Sequence, residues 1–183
     1  MKKALVPLAD GFEDIEAVSI IDVLRRGGVN VVTASLSDGT AVRSAHGIRM
    51  EADARLPDVL EGEYDAIILP GGGEGTQNLS ECEPLLERLR RQKAEGGFVC
   101  AICAAPTVLE KAEVIEDESV TCYPSCTSQM GRPVESVPVI ADGQLITGQG
   151  PGAAMLFSLV VLAHLTDERV AHGVANGMIT ELS

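Results

Sequence analysis

Short apolar runs alternate along the chain with stretches whose apolar positions recur every three or four residues. Runs of this first kind, at residues 3–8, 29–34, 66–69, 98–101 and 120–122, read as strands, the 66–69 run being apolar enough to be buried on both faces. The second kind predicts helices over 13–26, 83–94, 104–111, 152–165 and 167–175. Asp10 and Gly11 precede the first helix and Gly27-Gly28 end it. Residues 41–52 alternate weakly around His46-Gly47, which suits a short hairpin or edge strands. Residues 137–140 and 144–147 flank an Ala141-Asp142-Gly143 turn, a hairpin signal. Strand–helix alternation of this kind predicts a mostly parallel central sheet with helices on both faces, a doubly wound α/β sandwich. Ligands in such sheets sit beyond the carboxyl ends of the strands, so chemistry is to be sought there.

The 183 residues fit one domain, which we read as spanning 1–183, and bury enough surface to need neither disulfides nor a structural metal. Fourteen Lys and Arg against 27 Asp and Glu give a net charge of −13, a surface that repels nucleic-acid backbones and anionic lipid. No apolar run approaches the ~20 residues that span a bilayer. The start Met1-Lys2-Lys3 followed by an apolar run resembles a signal peptide, but Asp10, Glu13 and Asp14 stand where a cleavage site would be. A first strand and a cytoplasmic location are therefore expected. Five cysteines without framework spacing suit free thiols in a reducing compartment.

Three strand ends carry candidate chemistry. In Ala101-Ile102-Cys103-Ala104-Ala105-Pro106 a cysteine sits where a buried strand turns into a helix, flanked by small residues. A nucleophile elbow has this steric requirement, and a helix N-terminus would lower the thiol's pKa. Cys100 and Cys103 form a C-x-x-C, but Cys100 lies on the strand, so a dithiol bridge is disfavoured. Cys122 and Cys126 lack histidines at zinc spacing and read as structural or adventitiously oxidisable. No metal or other cofactor is expected. In Pro70-Gly71-Gly72-Gly73-Glu74-Gly75 the glycines expose backbone N–H groups suited to an oxyanion; the spacing fits no phosphate loop. In Asp10 to Val18, Glu16 lies among Ile15, Ala17, Val18 and Ile20, where desolvation would favour a protonated carboxyl. Glu13 and Asp14 read as solvated residues of the first turn.

Together these segments resemble the ThiJ/PfpI superfamily, most closely its Parkinsonism-associated deglycase branch. The resemblance runs from Ala4-Leu5-Val6 and Gly11-Phe12-Glu13-Asp14-Ile15-Glu16 through Asp22-Val23-Leu24-Arg25-Arg26, Tyr64-Asp65 and Leu69-Pro70-Gly71-Gly72. It continues in Gln77-Asn78-Leu79, Ala101 to Pro106, and Gly148-Gln149-Gly150-Pro151-Gly152. It implies a flavodoxin-like sandwich and a homodimer. In it Cys103 would be the reactive thiol, Glu16 its protonated partner, and Gly72 and Ala104 backbone donors. Tyr123, Gly150, Pro151, His46 and Arg26 would line the site, with His46 in a region that reaches towards the partner subunit.

Two departures matter. Peptidase-like members carry a histidine directly after the cysteine, and here Ala104 stands there. Deglycase-branch members often carry a histidine where this chain has Tyr123. The first departure discounts peptidase activity, and the second speaks against general-base help from position 123. The expected activity is cofactor-independent glyoxalase or deglycase chemistry on small 2-oxoaldehydes such as glyoxal and methylglyoxal, or on their early adducts. The alternative is a stress sensor or chaperone whose Cys103 is oxidised to sulfinate, with an oxidant as its partner. The first helix independently points to a dimer. Ile15, Ala17, Val18, Ile20, Ile21, Val23 and Leu24 cover more than the ~100° stripe one sheet face can bury.

Overall fold

The computed structural model describes residues 1–181. Its main sheet has seven strands: β1 (Lys3–Leu8), β2 (Asn30–Ser35), β5 (Ala54–Arg55), β6 (Ala66–Leu69), β7 (Phe98–Ile102), β8 (Val139–Asp142) and β9 (Leu145–Gly148). They lie in the order β5-β2-β1-β6-β7-β9-β8, and all pairs are parallel except β8 with β9. The hairpin around His46 forms, as β3 (Ala41–Arg43) and β4 (Arg49–Glu51), but as a separate two-stranded ribbon. The doubly wound, flavodoxin-like sandwich expected from the alternation is the fold observed.

Two apolar layers cover the sheet. On one face α1 (Asp14–Arg26), α6 (Ala154–Leu165) and α7 (Glu168–Gly177) pack around Phe157, Leu162, Ile20 and Leu24. On the other, α2 (Leu56–Val59), α3 (Gly73–Glu81), α4 (Glu83–Ala94) and α5 (Pro106–Lys111) pack around Leu69, Leu85, Leu89 and Leu109. α1 opens with Asp14 and Glu16 in its first turn and closes with Arg25 and Arg26, complementing its dipole at both ends. Its buried stripe includes Ala17, Ile20, Ile21, Val23 and Leu24, which leaves Ile15 and Val18 exposed; Ile48 of the hairpin turn is exposed as well.

The structure departs from the sequence reading in three places. The glycine run after β6 is not a plain turn: it starts the nine-residue helix α3, with Gly72 as its N-cap at φ 95°. Gly75 lets that helix lie against the backbone of Phe12, where a Cβ would come within 2.8 Å of the Phe12 nitrogen. The expected strand 120–122 does not form. The edge of β9 that it would need is taken by β8, and Thr121 N–H donates to the Thr147 hydroxyl instead of joining a ladder. The helix expected from 104 begins at Pro106, and a short 3₁₀ helix follows at Pro124–Gln129. Among the described residues no helix is long and apolar enough to cross a membrane.

Candidate active site

Because β1, β6 and β7 are neighbours in the sheet, the three strand ends singled out in the sequence open side by side. Ile68 pairs with Cys100 and Leu69 with Ala101, so the Gly71-Gly72 turn leaves the sheet next to Cys103. Cys103 itself has φ 65°, the left-handed conformation that strains a side-chain-bearing residue. Its N–H donates to Gly148 O (2.9 Å) and its carbonyl accepts from Tyr123 N–H (2.8 Å), so the elbow is tied to β9 and to the Tyr123 segment. The backbone N–H groups of Ala104 and Gly72 pull its pKa down, favouring negative charge on the sulfur.

Glu16 is wholly buried. Its Oε2 accepts the N–H of Gly71 at 2.7 Å, while Oε1 has no conventional hydrogen-bond partner and its carboxyl interacts with the Cys103 thiol. Gly71 is the contact between them. A Cβ there would lie 2.7 Å from Cys103 Cβ and 2.8 Å from Glu16 Oε2, so only glycine lets carboxyl and thiol meet. Sequence reasoning stressed Gly72 and passed over Gly71; the crowding arises across the fold and has no local signature.

Burial pushes the Glu16 carboxyl up to about 7, with help from the nearby Glu13 charge and against the pull of Gly71 N–H and Cys103. Burial, then the Glu16 carboxylate, pushes the Cys103 thiol up to about 12, outweighing the pull of those two N–H groups. The sequence expectation of a thiol acidified by the helix dipole therefore needs correcting. Two anions do not fit side by side in this buried spot, so acidity belongs to the pair and not to the cysteine. Once Glu16 ionises near 7 the pair keeps a single proton, which stays on the Cys103 sulfur with the carboxylate poised beside it as a base. Iodoacetamide labelling of Cys103 is accordingly expected to be still climbing at pH 10. In Glu16→Gln the rise should come at lower pH than in the wild type, because the facing carboxylate is gone and burial alone holds the thiol up. A wild-type rate that levels just above pH 7 would show that the negative charge settles on sulfur and not on Glu16.

Glu13 and Asp14 are not the solvated residues expected. Glu13 is buried and caps α1, its Oε2 accepting Glu16 N–H at 2.8 Å, while its own N–H donates to Gly71 O. Glutamate is an unusual cap, and the sequence reading placed Glu13 inside the helix instead. Burial would raise the Asp14 carboxyl, but hydrogen bonds from Ser44 and His46 hold it below its ordinary value. His46 is exposed on the hairpin turn, its Nδ1 2.8 Å from Asp14 Oδ2. Ligand atoms of Glu13, Asp14 and His46 lie within 4.8 Å of one another. Glu13 is already bonded to Glu16 N–H and Asp14 to Ser44 and His46, at the positive end of α1, which opposes a cation, and we assign no metal there.

Tyr123, Gly150 and Pro151 come together. With Pro124, Pro138 and Leu156 they line an apolar cleft of about 480 Å³ beside the elbow. Arg26 does not join them within this chain. It stands ten residues along α1 from Glu16, about 15 Å at the helical rise, and pairs with Asp22. Cys100 is fully buried on β7 between Ile68 and Ile146, and burial drives its thiol far above the ordinary range, so it is no dithiol partner.

The model of the DJ-1/PfpI family matches residues 2–164. The Drosophila melanogaster protein dj-1beta is 39% identical over 181 residues, covering 97% of each chain, and its crystal structure superposes with a TM-score of 0.95 over 98% of each chain. A Toxoplasma gondii DJ-1, solved oxidised, gives a TM-score of 0.94 at 34% identity, covering 98% of this chain and 99% of that one. A Caenorhabditis elegans relative, 39% identical over 168 residues and covering 90% of this chain and 89% of its own, is named a glutathione-independent glyoxalase. With similarity of this extent in sequence and in fold, the chain belongs to the DJ-1/PfpI family.

Proposed function

We propose that this protein is a cofactor-independent glyoxalase acting on small 2-oxoaldehydes, with their early adducts as further substrates. One observation carries the reading: backbone N–H groups of Gly72 and Ala104 act on the Cys103 sulfur, while Glu16, the buried acid beside it, is near its midpoint at neutral pH. In the reaction Glu16 takes the Cys103 thiol proton as the sulfur bonds to the aldehyde carbon, and the carbonyl electron pair moves to oxygen. The Gly72 and Ala104 N–H groups stabilise that oxyanion until Glu16 passes it the proton. Glu16 then takes the hydrogen of the former aldehyde carbon as a proton and returns it to the neighbouring carbon, while the hydroxyl proton passes to the neighbouring oxygen. The resulting thioester is cleaved by one water, releasing a 2-hydroxy acid and the thiol. One 2-oxoaldehyde and one water give one 2-hydroxy acid, so no external oxidant or reductant is consumed. The name of the nematode relative supports this chemistry. The cleft lined by Tyr123, Gly150 and Pro151 offers an apolar wall for the substrate's alkyl end.

Cys103→Ser is expected to lower methylglyoxal turnover at least about a thousandfold, because a serine hydroxyl in this site has no base strong enough to ionise it. Turnover within tenfold of wild type in a purified Cys103→Ser protein would sink the proposal. The same donor set also suits a sulfinate, and the oxidised Toxoplasma gondii relative favours this second reading. Cys103 sulfinate on mild peroxide, with no turnover of any dicarbonyl, would establish the sensor in its place. The exposed Ile15, Val18 and Ile48 support the twofold partner that the sequence leads us to expect.

A further inference from the structure

We propose that Cys122 and Cys126 form a reversible disulfide beside the nucleophile elbow, a second oxidation site distinct from Cys103. Both residues surround one atom. The Tyr123 carbonyl oxygen accepts Cys126 N–H at 2.8 Å and the Cys122 thiol at 3.4 Å, so Cys122 sulfur lies within about 6 Å of the Cys126 backbone, a separation a disulfide spans. The two side chains also belong to the same apolar cluster. Burial raises the Cys122 thiol, and the proximity of Cys126 adds to the rise. The segment lies outside the sheet: 120–122 joins no strand, and 124–129 is a short 3₁₀ helix. Neither Cys100, locked in β7, nor Cys82, at the junction of α3 and α4, has this arrangement.

Peroxide is the oxidant. Cys126, the less deeply buried of the two, takes one oxygen from it and becomes a sulfenic acid, releasing water. Cys122 sulfur then bonds to Cys126 sulfur, the S–O bond breaks, and a second water leaves. Two thiols and one peroxide give one disulfide and two waters, the two electrons passing from the sulfurs to the peroxide. A thiol reductant reverses it. The closure is coupled to the elbow because the residue between the cysteines holds it: Tyr123 N–H donates to the Cys103 carbonyl. The Tyr123 ring packs on Gly150, where a Cβ would come within 3.2 Å. Drawing Cys122 sulfur off the Tyr123 carbonyl therefore shifts one wall of the cleft. The loss of turnover that follows rests on the glyoxalase reading; the disulfide itself does not.

The test treats the Cys103→Ser protein with stoichiometric hydrogen peroxide, blocks free thiols with maleimide and maps the modified peptides. Cys122 and Cys126 should lose labelling together, with a mass lower by two hydrogens that dithiothreitol restores. In the wild type, methylglyoxal turnover should fall severalfold with the same oxidation and return with dithiothreitol, while Cys126→Ser resists this reversible loss. Cys122 and Cys126 remaining fully labelled while Cys82 oxidises would overturn the proposal. So would Cys126 accumulating sulfinate with Cys122 still free, or a disulfide joining either of them to Cys103 in the wild type. Absence of dicarbonyl turnover altogether would remove the proposed enzyme yet leave the disulfide to be judged by mass alone.

Discussion

Replacing Glu16 by glutamine is expected to make the fold more stable at neutral pH and the protein less active. Burial raises the Glu16 carboxyl from 4.5 to about 7. Below 4.5 the carboxyl is protonated whether the chain is folded or not, and the side chain costs nothing as an acid. Between 4.5 and 7 the unfolded chain ionises while the folded one keeps its proton, so wild-type stability falls as pH rises through this window. At ~1.4 kcal/mol per unit the loss reaches about 3 kcal/mol at pH 7 and above. Glutamine keeps an acceptor for Gly71 N–H and never ionises. Urea unfolding of the two proteins should nearly coincide at pH 4.5 and separate by about 3 kcal/mol at pH 8, the variant being the more stable. Methylglyoxal turnover should fall at least tenfold, the scale of one positioned proton-transfer group. Equal stabilities at both pH values would mean that Glu16 carries no buried charge, and the shared-proton account of Cys103 would go with it.

Two adjacent glycines are expected to respond to alanine with opposite signs. Gly72 has φ 95°, and a Cβ there would meet only backbone: Gly11 O at 2.3 Å, Glu13 N at 2.7 Å and Phe12 C at 2.9 Å. None of these is the yielding end of a side chain, so the entry to α1 must move, and with it the carboxyl of Glu16. Gly72→Ala should lose at least about 3 kcal/mol, a fall of roughly 10 °C in Tm for a chain of this size. Gly73 is the first residue of α3, and a Cβ there meets nothing within 4 Å. Gly73→Ala should gain about 0.5 kcal/mol by restricting the unfolded chain and favouring the helix. Thermal melts of the two variants decide it. A Gly72→Ala protein as stable as Gly73→Ala would show that the left-handed turn between β6 and α3 is not required.

Most of the fold was legible because its signals are local. The continuous apolar run at 66–69, the period of 13–26 and the Asp142-Gly143 turn each reflect one element's own burial. Where a neighbour outside the element decided the outcome, reading along the chain failed. Helix α3 exists despite Gly73 and Gly75, because Gly75 lets it sit against Phe12, a closeness that repays poor helix propensity. Residues 120–122 have strand-like composition, yet β8 occupies the open side of β9.

The site divides along the same line. The residue types and spacing of this chain determined by themselves that Cys103 follows a buried strand between small residues, that Glu16 lies in an apolar stretch and that glycines end the strand between them. Only the tertiary structure decided that these strand ends are neighbours, that Gly71 separates thiol from carboxyl by the width of a missing side chain, and that Glu13 caps the helix carrying Glu16. It also reversed the expected acidity of Cys103. A helix terminus acts on a residue through its own turn and can be read locally, whereas desolvation and a facing carboxylate depend on what the rest of the chain packs around it.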